Sequence, residues 1–190
     1  MPLTPPGIAG VLAPALAGTG MLGVSVPQLA LGVGIGVTLW TKALTVVTVD
    51  AGTLGAGVGT LPCVIPPPLL IGGMLTGLPA AAIAGVASPL LATGLGTGLA
   101  TAFATQGLIT TVHPTVGVGT GVCTFPGPSA VPFMIAGLAS AGLVGTNVAQ
   151  LGAGIGMGLD IGFAAFTVPI PIVGAPAPAS AAGAGTGKIV

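Results

Sequence analysis

Long apolar stretches alternate along the chain with short runs of β-branched residues, glycine and proline, and the alternation recurs three times. The apolar stretches lie near 10–43, 72–104 and 132–164 and are rich in Ala, Leu and Gly. An unbroken helix of about 30 residues would run about 45 Å. Each stretch, however, carries a breaker near its middle: Pro27, then Ser88-Pro89, then Gly145-Thr146-Asn147. Serine before proline reads as an N-cap followed by proline at the first helical position, and Asn147 can cap in the same place. Each stretch therefore predicts a pair of helices. Behind the pairs, Leu44–Val49, Leu108–Val112 and Phe166–Ile170 are β-branched and predict strands, punctuated by glycine. Proline-rich segments at 66–68 and 126–128 predict extended chain leading into the next pair.

These elements repeat with a period of 60 residues. Pro6, Pro66 and Pro126 coincide, as do Leu31, Leu91 and Leu151, and Leu39, Leu99 and Leu159. Gly34, Gly94 and Gly154 align, and so do Gly36, Gly96 and Gly156. The units run 1–60, 61–120 and 121–180, and residues 181–190 read as a C-terminal strand that completes unit one. The fold class expected is α+β: three pseudo-symmetric units, each a Gly/Ala-rich helix pair plus a strand and turn segment, arranged around a pseudo-three-fold axis as one compact domain.

Glycine inside an exposed helix costs about 1 kcal/mol relative to alanine, so its threefold recurrence needs a reason. Removing Cβ atoms lets backbones approach closely. Gly34, Gly36, Gly94, Gly96, Gly154 and Gly156 are therefore expected to touch at the central axis.

Composition narrows the function. Only Lys42, Lys188, Asp50 and Asp160 are charged among 190 residues, where an average domain has about a quarter of its residues charged. Mean hydropathy is +1.14. Such a surface lacks the charged coat of a free soluble monomer, so lipid or partner proteins are expected to cover it. Two lysines and no arginine exclude phosphate neutralisation, and no nucleic-acid partner is expected. The start, Met1-Pro2-Leu3-Thr4, does not read as a signal peptide.

Candidate chemistry is thin. His113, Cys63 and Cys123 are the only candidates for a metal site. The cysteines are repeat equivalents, which a threefold ring holds apart, so buried small hydrophobes are the better reading. Asp160 stands where units one and two have Trp40 and Ala100; a lone carboxylate in an apolar helix is a candidate ion site or a structural hydrogen-bond partner. One histidine and two aspartates offer no nucleophile–base–acid set. The chain is expected to be neither an enzyme nor a cofactor binder.

The sequence of Gly117-Val118-Gly119-Thr120-Gly121, a proline-rich segment, Gly77-Leu78-Pro79-Ala80-Ala81 and Gly185-Thr186-Gly187-Lys188-Ile189 resembles the small glycine-rich repeat proteins of tailed-phage and contractile-injection baseplates. The Gly-Leu-Pro-Ala-Ala run is similar to a motif of PAAR-type spike tips, with Ala82 where that motif has arginine. The resemblance implies a virion structural protein at the hub or spike tip, seated on a trimeric partner and contacting the host membrane. The alternative is an integral membrane pore or scaffold with glycine-packed helices.

Overall fold

The computed structural model describes residues 4–40, 66–105 and 130–163, side chains included. They form six helices in three consecutive hairpins. Helices α1 (Pro5–Gly18) and α2 (Ser25–Ala43) make the first. Helices α3 (Pro67–Ala80) and α4 (Ser88–Gln106) make the second, and α5 (Ala130–Ser140) and α6 (Thr146–Ala165) the third. The α+β class is corrected by this: no strand or sheet is present among the described residues. The helices bury their apolar faces on one another. The strands expected at 44–49, 108–112, 166–170 and 181–190 fall on residues whose side chains are not described.

The helices break earlier than the prolines suggest. Pro27 and Pro89 sit in the first turns of α2 and α4, where their missing N–H groups have no intrahelical partner to lose. The break is instead a C-terminal cap repeated three times. Met21 N–H donates to Leu16 O and Gly20 N–H to Ala17 O; Ile83 to Leu78 O and Ala82 to Pro79 O; Leu143 to Leu138 O and Gly142 to Ala139 O. This is the Schellman pattern, which needs a left-handed residue past the helix end. Gly20 (φ 87°), Ala82 (φ 62°) and Gly142 (φ 84°) supply it. Three residues on, Gly23, Gly85 and Gly145 all have φ between 126° and 148°, and the next helix starts. Ser88 does not act as the expected N-cap acceptor: it is the first residue of α4, and its hydroxyl donates to Ile83 O at 3.2 Å.

These caps set the register of the units. Gly20 matches Ala82 and Gly142, so the first offset is 62 residues and the second 60. The uniform 60-residue alignment therefore misplaces unit one by two positions. Gly32, Gly94 and Gly154 are the true equivalents, as are Gly34, Gly96 and Gly156, and Gly36, Gly98 and Gly158.

Each helix contacts the next in chain order and α6 contacts α1, so six antiparallel helices close into a ring. The glycines sit in its seams. A Cβ on Gly32 would come within 3.1 Å of Leu78 Cα, one on Gly94 within 2.8 Å of Leu138 Cα, and one on Gly154 within 2.8 Å of Leu16 Cα. One turn along, a Cβ on Gly36 would lie 3.0 Å from Gly73 O and one on Gly98 2.6 Å from Phe133 O. The middle glycine of each run faces its own hairpin: Gly34 meets Pro5, Gly96 meets Ile71, and Gly156 meets Val131. The expected contact of Gly34, Gly36, Gly94, Gly96, Gly154 and Gly156 with one another at the axis is thus corrected, because each lies against a neighbouring helix in the ring. At about 100° per residue, glycines at i and i+4 share one flank and the glycine at i+2 takes the other. Residues i+1 and i+5 point between them, inward.

That inward set fills the axis with side chains. Val33, Val37 and Trp40 from α2 are buried, with Leu95, Leu99 and Phe103 from α4 and Ile155, Leu159 and Phe163 from α6. The outer helices add Ile8, Leu12 and Leu16, then Leu70, Met74 and Leu78, then Ala130, Met134 and Leu138, each at i, i+4, i+8 on one helical face.

Two predictions follow from seam and cap. Gly77→Ala puts a methyl against Gly32 O and, at 2.6 Å, Gly36 N, and should cost about 2–3 kcal/mol. Gly72→Ala, with nothing within 4 Å, should gain about 0.5–1 kcal/mol from helix propensity. Denaturant midpoints of the two variants should therefore move in opposite directions. Ala82→Gly relieves a left-handed alanine and should raise stability by about 0.5–1 kcal/mol, while Gly142→Ala should lower it by a similar amount; thermal unfolding reads both.

Candidate functional site

The residues singled out for chemistry do not assemble. The side chains of His113, Cys63 and Cys123 lie outside the described residues, and among the described residues no group of three metal-ligating side chains occurs. Asp160 lies in α6, partly buried, with both carboxylate oxygens shielded from solvent. In the corrected register it matches Thr38 and Ala100. Thr38 is buried and donates to Gly34 O at 2.7 Å. Gly156, one turn before Asp160 on the same flank, lies against Val131 in the first turn of α5.

What the fold does bring together is one end of the ring. All three hairpin turns lie there. Each Schellman cap folds an apolar residue back over its helix, Met21, Ile83 and Leu143, and these three converge on the ring axis. With Leu91, Leu151 and Val148 they line a hollow of about 320 Å³. Its polar lining side chains are Ser88, whose proton is engaged by Ile83 O, and the exposed Asn147. A second hollow of about 370 Å³ adjoins it between the first and second hairpins, sharing Met21, Ile83 and Leu91. Around these hollows the turns carry bare apolar side chains: Leu22, Val24, Val86 and Val144 are 82%, 92%, 100% and 83% exposed. Elsewhere on the described surface, large apolar side chains counted as exposed reach at most 54%.

The opposite end is closed. Trp40 meets Phe103 edge-on with ring centroids 5.0 Å apart, and Phe103 meets Phe163 at 5.3 Å, also edge-on. Such contacts contribute about 0.5–1.5 kcal/mol beyond area burial. Trp40 Nε1 is buried without an acceptor among the described residues. Between the ends, the outer wall conceals its hydroxyls. Exposed Thr76, Thr93, Thr101 and Thr105 each donate to the carbonyl four residues back, at 2.6–3.0 Å. Their protons are thereby spent inside the helix.

The turn-end cluster went unseen in the sequence because a 60-residue offset does not align Met21 with Ile83 and Leu143. The signal that finds it is an apolar residue directly after each left-handed cap position: Gly20-Met21, Ala82-Ile83 and Gly142-Leu143. No family model matches the chain. No curated protein matches it, and no solved structure does.

The aromatic end yields a prediction. Trp40→Phe removes a buried, unpartnered N–H together with part of the ring, and should cost less than about 1.5 kcal/mol. Phe103→Ala breaks both edge contacts and leaves a cavity, and should cost about 3–5 kcal/mol. Denaturant melts of the two variants check the contrast.

Proposed function

We propose that the chain is a structural component of a phage tail or related injection machine. It sits at the hub or spike tip, one copy seated on a trimeric partner within the virion. One observation carries the reading: three near-equivalent helical hairpins of a single chain repeat around one ring axis. Three times the chain leaves the ring at its aromatic end, from α2, α4 and α6, and twice it re-enters there, at α3 and α5. A monomer of that shape offers a trimer three near-equivalent attachment points without needing three chains.

The surface supports the same reading. Asp160 is the one charged side chain among the described residues, and it is partly buried. A wall of alanine, leucine and back-bonded threonine lacks the mixed charge that keeps free domains apart. Permanent neighbours suit it better. Among the described residues no helix is long and apolar enough to cross a membrane, which favours an assembled part over a multipass pore.

Co-expression with trimeric spike or hub proteins of phage tails tests the proposal. The expected result is a complex that survives size exclusion, with a native mass of one chain per three partner subunits. A ratio of three to three, or no complex with any neighbouring tail protein, counts against it.

A further inference from the structure

The geometry points to the turn end of the ring as a lipid-contacting tip whose on-axis hollow takes a hydrocarbon segment of a phospholipid acyl chain. The inference deepens the proposed function by naming what the free end meets. It rests on that reading only for the setting, because the tip's chemistry belongs to the chain alone.

Three observations carry it. First, apolar exposure is concentrated. Leu22, Val24, Val86 and Val144 project from the turns at 82–100% exposure, far beyond any apolar side chain on the wall. Second, the hollow is apolar as well as concave. Its volume of about 320 Å³ is that of roughly ten waters at about 30 Å³ each. Ser88 and Asn147 are the only polar side chains lining it, and Ser88 already donates to Ile83 O. Water against this lining finds few protein partners, whereas a methylene chain needs none. Third, the charge match is to a neutral surface. Residues 19–29, 81–91 and 141–151, which make the three turns and the helix starts behind them, contain no ionisable side chain. Nothing there steers toward phosphate or a charged protein patch.

A second copy of the chain fits less well. Two tips face to face would set hollow against hollow on the axis and leave the void unfilled, against the close packing of protein interfaces. An acyl chain is thin and flexible enough to enter, while the exposed backbone groups of the turns stay at headgroup level, where water and ester oxygens satisfy them.

The test uses the full chain, without partners, and vesicles of phosphatidylcholine. Trp40→Phe makes a background into which one tryptophan is placed, at the tip (Val86→Trp) or on the wall (Leu39→Trp). The expected result is a blue shift and quenching by bromine-labelled acyl chains for the tip probe, at least threefold stronger than for the wall probe. Replacing Val24, Val86 and Val144 together by Asp should reduce the vesicle-bound fraction at least tenfold. All three are exposed, so folding should be retained, and helical circular dichroism checks this. Binding should be unchanged by salt and by substituting anionic phosphatidylglycerol. Equal or stronger quenching of the wall probe overturns the proposal. So does binding that requires anionic lipid and falls with salt. A tip-dependent dimer in sedimentation with no vesicle binding overturns it in favour of self-association. None of these outcomes bears on the one-to-three complex, so failure here and failure of the assembly reading are separable.

Discussion

Backbone-to-backbone approach in the ring seams is the contact on which the rest of the structure depends. A Cβ on Gly73 would lie 2.6 Å from Gly36 O, and one on Gly77 would collide with Gly32 O. Helices this close leave the glycine face no room for a side chain of its own, and the neighbouring apolar residues on the same helix point inward. A ring of six helices has a wide interior. It can be filled by Leu, Met and Val layers with three aromatic rings at one end only because the walls have drawn together. Had alanine stood in the seams, the same inward set would leave gaps, since interiors lose contact energy steeply over fractions of an ångström.

The same constraint explains the hairpin turns. Antiparallel neighbours at glycine distance need short, sharply reversed connections. The Schellman cap followed by a second positive-φ glycine does this three times with the same hydrogen bonds. Ala82 keeps the geometry where the other units have glycine, which shows that ring packing overrides a local backbone preference of about 1 kcal/mol. The cap also folds Met21, Ile83 and Leu143 over the axis, so the hollow at the turn end is a by-product of how the hairpins are closed.

A wall without charge then acquires a physical rationale. Threonine hydroxyls return their protons to the helix, and both oxygens of the only described carboxylate are shielded from solvent. These threonine hydroxyls satisfy the backbone of their own helix.

Much of this was written in the chain before folding. Three apolar stretches, each split into a helix pair, follow from the Ala/Leu/Gly composition and the interrupting prolines and glycines, because period and breakers act locally. The near absence of charge is also plain in the sequence. Tertiary structure decided what lies at a distance. It put Gly34 against Pro5 and Gly94 against Leu138 in the seams, where a glycine run alone suggests an axis. It moved unit one by two residues, since the register is held by caps that sequence identity between Gly34, Gly94 and Gly154 obscures. It also gathered Met21, Ile83 and Leu143 from three hairpins onto one axis. The physical reason is the same in each case: a glycine states that something comes close, and only the closed ring determines which neighbour that is.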